Sequence, residues 1–250
     1  MDKRIIIAGL LSLLVSVPAL ASSVVADVKV EFDPRNQAIP FPYDLLFEAD
    51  VTRAEQLDGT LNIPVEDPND SASAVPMALN TLDGFSTVGA WRVAFTGDVR
   101  PETLVGGETV RVFRMANDGG DYPARVRPHG VERELTPGED YRLSYDPGQR
   151  ALQIIPAKPL DYNTNYTVVI TKGVEDTDGD KVGYMTPWLA ARNLDKLDQC
   201  DEPVKEPQAL LQCTTNRAIE PIEEDPAYDI GRYDMIMAWG IPTQRMDSTF

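Results

Sequence analysis

YRLSYDPGQRALQIIPAKPLDYNTNYTVVITKG (Tyr141–Gly173) is the stretch that decides the fold class. Tyr141, Leu143 and Tyr145 alternate with polar residues, Asp146-Pro147-Gly148 supplies a turn, and Leu152–Ile155 returns as the partner of a hairpin. Tyr166, Val168 and Ile170 then share one face of another strand, which stops near Gly173. Upstream, Trp91, Val93 and Phe95 repeat the period of two before Gly97-Asp98, and Thr109–Met115 forms the next run before Asp118-Gly119-Gly120. Short strands separated by turns, with no helices alternating between them, predict a mainly β protein built as an antiparallel sandwich. Met235–Trp239, a continuous apolar run closed by Gly240, is its expected last buried strand.

The segment LDYNTNY (Leu160–Tyr166), followed by GVEDTDG (Gly173–Gly179), resembles bacterial immunoglobulin-like domains. In those domains a leucine, a turn and a tyrosine open the penultimate strand, and an Asp-rich glycine turn closes it. The resemblance implies a corner role for Tyr166, its hydroxyl tying the strand start to nearby backbone.

Composition agrees with strands and turns. The 250 residues are 42% hydrophobic and include 20 prolines and 17 glycines, enough apolar chain for one large or two small domains. Lys3 and Arg4 precede an apolar run from Ile5 to Val17, and Ala19-Leu20-Ala21 has the small-x-small form of a cleavage site. Residues 1–21 therefore read as a secretory signal peptide; the run is short for an uncleaved membrane anchor. Position 22 is Ser, so a lipid-modified amino terminus is not supported, and no later segment is apolar enough to span a membrane. The expected product is exported: secreted, periplasmic or associated with the cell surface.

Cleavage removes Asp2, Lys3 and Arg4, one net positive charge, and moves the formal charge from −17 to −18. Such an acidic chain, lacking a basic stripe, excludes nucleic acid as a partner. Cys200 and Cys213 are the only cysteines, and an even pair in an oxidising compartment predicts a disulfide. A zinc site needs further ligands, and the one histidine, His129, is distant in sequence. Ala190–Asn216 reads as one or two short helices joined through these cysteines, with Leu194, Leu197, Leu210 and Leu211 as small apolar faces. It is expected to be an insertion, disulfide-closed and helical, over about 188–225.

Candidate chemistry is sparse. Asp176, Asp178 and Asp180 alternate as at the start of a calcium loop, but glycine stands fourth rather than sixth and Pro187 replaces the closing glutamate, so a solvated turn is the simpler reading. Ser86 lies in Gly84-Phe85-Ser86-Thr87-Val88, which lacks the second glycine of a nucleophile elbow. A Ser-His-acid triad would have to use His129, which sits in a Pro/Gly loop. Catalytic residues and cofactors are accordingly none. Acidic pairs are expected by chance among 40 acidic residues. Tyr162, Tyr166, Trp188 and Trp239 are candidates for a binding face, against the alternative that they fill the core.

Between Phe32 and Thr87 stand three irregular phrases: FDPRNQAIPFPYDLLF (Phe32–Phe47), DGTLNIP (Asp58–Pro64) and ALNTLDGFST (Ala78–Thr87). Their prolines, glycines and aspartates predict a turn-rich segment, residues 22–87, wrapped on the sandwich of residues 88–250. Glu66–Ser73 reads as an exposed loop and Pro76–Leu82 as a short helical turn. With PTQ (Pro242–Gln244), the phrases closely resemble the N-terminal domain of bacterial virulence-factor lipases, exported lipases and lysophospholipases of gram-negative bacteria. The family implies an α/β-hydrolase domain on the C-terminal side as partner and carrier of the catalytic groups; this chain ends where that domain would begin. Val88-Gly89-Ala90-Trp91 departs from the Ala-Pro pair usual there. The expected function is a non-catalytic accessory module of an exported lipase, with a free-standing cell-surface binding or adhesion module as the alternative.

Overall fold

The computed structural model describes residues 26–118, 126–192, 200 and 204–246. The expected signal peptide, the Gly119-Gly120 turn, Leu194 and Leu197 lie outside them. Two antiparallel sheets face each other. One has the order β2 (Trp91–Ala94), β6 (Ala151–Pro156), β5 (Tyr141–Asp146); the other has β4 (Gly130–Glu134), β3 (Val110–Ala116), β7 (Asn165–Thr171), β9 (Met235–Pro242). The hairpin of β5 and β6 pairs Tyr141 with Pro156 and Asp146 with Ala151, and Trp91 pairs with Ile154. The mainly β sandwich expected from the alternation is the fold.

Parity along the strands explains the core. Trp91, Val93, Leu152 and Ile154 project from the three-stranded sheet onto Val110, Val112, Tyr166, Val168 and Ile170 of the other, and all are buried. Trp91 and Tyr166 meet with ring centroids 5.9 Å apart. In β9, Trp239 and Met237 stand opposite Val168 and Ile170, so they share this inner face. The alternate residues Ala238 and Gly240 face the other way, and they too are buried. A strand covered on both faces has no need to alternate in polarity, which is why the run reads as continuous.

The region expected as a helical insertion covers the outer face of β9. Two helices occupy the region, α2 (Thr186–Ala191) and the longer α3 (Pro207–Glu223). Leu210, Thr214, Ala218 and Ile222 recur every fourth residue and are buried, with Cys213 and Ile219 beside them. This stripe packs α3 against β9 as a third layer of the core. Its hydroxyl-bearing members disguise it: Thr214 returns its hydroxyl to the Leu210 carbonyl at 2.9 Å and so enters the interior satisfied. Pro221 falls in the last turn and removes one helix bond there.

The N-terminal segment is bonded to both sheets. β1 (Lys29–Val30) runs parallel to β8 (Gly183–Tyr184), and the Glu31 amide donates to the Ala94 carbonyl at 2.8 Å. Phe41 exchanges backbone bonds of 2.9 and 2.7 Å with Arg92, extending the three-stranded sheet at its β2 edge. Further on, the Asn62 amide donates to Leu46 and the Leu61 amide to Leu82, so the three phrases hold one another. Asp58 takes the Thr60 amide and hydroxyl, while Gly59 adopts φ +90°, as the turn requires. The expected helical turn is α1 (Ala74–Leu79).

Phe85 closes the brace. Its amide donates to Pro242 and its carbonyl accepts from Gln244, which lays the third phrase along the exit of β9. A Cβ at Gly84 would overlap the Gln244 backbone, so only glycine fits there. Tyr43, Leu45, Phe47, Leu61 and Phe85 are all buried in the common core.

Candidate functional site

The residues that suggested hydrolysis are occupied by local structure. Ser86 is exposed, and its Oγ accepts from the amides of Val88 and Gly89 at 3.2 and 3.1 Å, stabilising a turn. His129 is exposed, with Nε2 3.1 Å from Asp118 Oδ1.

Asp176, Asp178 and Asp180 are not brought together. Asp176 is buried, and its Oδ1 accepts from the amides of Asp178 and Asp180 at 3.0 and 2.9 Å. The other two side chains point to solvent. Neighbouring charge is answered by Arg100 and Lys181, both paired with Glu175. Among the described residues no group of three or more His, Cys, Asp or Glu side chains is placed to hold a metal ion. The turn is shaped by one carboxylate acting on its own backbone.

Three of the four candidate aromatics are core residues: Trp188 and Trp239 are wholly buried, and Tyr166 nearly so. Tyr162 alone is open, at 39% exposure. Tyr166 Oη accepts from the Asp161 amide at 3.2 Å, five residues upstream, which is the corner contact that the resemblance implied. For Tyr166, Trp188 and Trp239 the alternative, that the rings fill the core, is the one the structure adopts.

The disulfide is formed between Cys200 and Cys213. It ties the start of α3 to the preceding chain, and the Cys200 carbonyl accepts from Arg217 Nη2 at 3.3 Å. Arg217 Nη1 pairs with Glu48 at 2.6 Å, and both side chains are largely buried. Beside them Asp44 lies against Gly240 of β9, its Oδ1 buried without a hydrogen-bond partner. Burial pushes the Asp44 carboxyl up to about 7; Arg217 opposes the rise and Glu48 adds to it. Sequence reading missed this cluster because Asp44 and Glu48 meet Arg217 only after folding. The one visible signal was glycine inside the apolar run of β9.

A second polar group lies at the edge of the sandwich. Asp140 accepts from Arg133 Nη1 at 2.7 Å and the Thr136 amide at 2.8 Å, with Lys158 Nζ 2.8 Å away. The Arg133 bonds hold its carboxyl well below the usual range, helped by Lys158 and the Thr136 amide. These side chains, with Asp161 and Tyr166, line a cleft of about 260 Å³. Arg114 adds pairs to Asp161 and Glu132. Each cation answers a carboxylate, so the cleft offers paired charge and no nucleophile with an adjacent base. At the C-terminal end of α2, Arg192 is buried, donates to the carbonyls of Arg232 and Met235, and stacks 4.4 Å from the Tyr184 ring centre.

Among the described residues no helix is long and apolar enough to cross a membrane. No curated protein matches the sequence. Solved structures of the surface layer protein SbsC align weakly. Its domains 1–6 are 17% identical over 39% of this chain, with a TM-score of 0.27. Its N-terminal part is 14% identical over 54% of this chain, with a TM-score of 0.26. The chain spans 11% and 30% of the lengths of those two structures. Residues 67–188, from the exposed loop before α1 to Trp188, match the family model of the bacterial Ig-like domain, and the sandwich of that stretch is the immunoglobulin-like fold the match describes.

Proposed function

We propose that this chain is a non-catalytic binding or accessory module that works outside the cytoplasm, at or near the cell surface. The observation that carries this reading is the bacterial Ig-like match over residues 67–188. It is supported by the use of Ser86, Asp176 and Tyr166 as structural groups, each bonded to nearby backbone amides. Export is supported by the signal-like residues 1–21 and by the Cys200–Cys213 disulfide, a bond that persists in oxidising compartments.

A finer reading makes the module the N-terminal partner of a lipase domain. Its support is the three phrases, which the fold uses as one interlocked brace ending on Pro242 and Gln244. DNA sequence beyond the codon for Phe250 separates the two. An open frame holding G-x-S-x-G favours the lipase partner, whereas a cell-wall anchor favours the free-standing module. Neither reading allows ester hydrolysis by these residues alone. Cleavage of p-nitrophenyl esters by the purified chain, lost in Ser86→Ala, would overturn the non-catalytic role.

A further inference from the structure

We infer that α1 and its acidic flank form a docking face for a polypeptide partner whose contact is apolar at the centre and basic at the rim. The inference rests on the reading of the chain as a binding module and names its surface. The six residues of α1, Ala-Val-Pro-Met-Ala-Leu, are all apolar, and none is buried. Val75 is 66% exposed, Met77 45% and, just beyond, Leu82 38%. An isolated turn of this length is not stable in water, and a helix apolar all round is ordinarily covered.

The helix is instead held in place by polar bonds. Asn80 brackets Ile63, accepting its amide at 2.8 Å and donating to its carbonyl at 2.9 Å. At the other end Ser73 Oγ donates to the Asp67 carbonyl at 2.7 Å. Leu79 packs against the core at the end of the helix, which leaves Val75 and Met77 free of the task of anchoring it. A cleft of about 200 Å³, lined by Leu57, Asp58, Leu61 and Asn80 among others, adjoins it.

Charge selects the occupant. Glu66, Asp67 and Asp70 stand exposed beside the start of α1, and none has a cation partner among the described residues. A second copy would bring the same three carboxylates and a chain of formal charge −17, and an anionic membrane would be repelled in the same way. Basic groups around an apolar knob satisfy both features.

The test uses the mature chain and a fluorescent amphipathic helical peptide with one leucine face and one lysine face, titrated by anisotropy. The expected result is saturable binding that Met77→Ser/Leu82→Ser weakens about tenfold, while Ile155→Ser/Leu189→Ser, exposed elsewhere, leaves it unchanged. Glu66→Gln/Asp67→Asn is expected to reduce its salt dependence. Equal binding by all variants, or equal binding of an all-lysine peptide, would mean attraction by net charge alone and would overturn the proposal. So would self-association removed by Met77→Ser/Leu82→Ser, or capture by neutral phosphatidylcholine vesicles that depends on the same residues. Ester cleavage lost in Ser86→Ala would instead overturn the binding-module reading, whatever the peptide does.

Discussion

The carboxyl group of Asp44 rests on the Cα of Gly240, in the space a side chain at 240 would fill. One residue belongs to the N-terminal wrap and the other to the last strand of the sandwich, so this contact joins the two at close range. It also leaves Asp44 nearly inaccessible, with Glu48 and Arg217 as charged neighbours and one oxygen unbonded. Two carboxyls thus share one guanidinium.

The sign of the pH dependence follows. The Asp44 carboxyl is raised from 3.8 to about 7 in the folded protein, so the folded state binds its proton more tightly than the unfolded chain. Its stabilisation is complete below about pH 4 and is lost as pH rises through 7. Asp44→Asn is expected to raise stability at pH 8 by on the order of 2 kcal/mol and to flatten the slope between about pH 4 and 7. Urea denaturation of both proteins across that range and at pH 8 measures it.

Arg217→Met leaves Glu48 buried without its partner. The expected cost is about 3 kcal/mol at pH 8. Denaturation should show a smaller cost near pH 5, where the raised Asp44 carboxyl is protonated and no longer adds its charge beside Glu48.

Asp140 supplies the opposite arm. Its folded-state carboxyl is depressed by Arg133 and Lys158, so its contribution is present above about pH 4 and is lost as pH falls further. Asp140→Asn is expected to cost about 1 kcal/mol at pH 7, an amount reduced by the exposure of both cations, and to cost progressively less as pH falls below 4. The difference between the acid limbs of the two denaturation curves reads it.

Reducing Cys200–Cys213 releases a short loop at the head of α3. With 13 residues of separation, the expected loss is about 3 kcal/mol in the chain-entropy account. Thermal melts with and without reductant check it, and intact mass under non-reducing conditions should show no free thiol.

Some of this was legible in the residues. Tyr141–Ile155 announced its hairpin through alternation and a Pro-Gly turn, and Tyr166 its corner, because those signals are local. α3 was legible only in part, since Thr214 of its buried stripe satisfies its hydroxyl within the helix and so reads as surface. The Asp44–Glu48–Arg217 cluster was not legible at all, because residues separated by up to 173 positions meet only after folding. Trp188 and Trp239 show the converse: large rings suggest a binding face, but two sheets and a helix layer leave them no route to solvent.

Gly84 and Gly240 mark the places where the wrap approaches the last strand most closely. Gly84→Ala or Gly240→Ala is expected to destabilise by about 3 kcal/mol, since the overlapping atoms are backbone in one case and a buried carboxyl in the other.

The central claim is that the N-terminal segment is a brace, part of the folding unit. Native-state hydrogen exchange of four amides, Asn62, Phe85, Arg92 and Gln244, tests it most directly, because each crosses within the wrap or from the wrap to the sandwich. The account predicts that all four exchange only with global unfolding, at the same free energy as Val168 in β7. Exchange of Phe85 and Gln244 at the rate of an open loop, while Val168 stays protected, would contradict it.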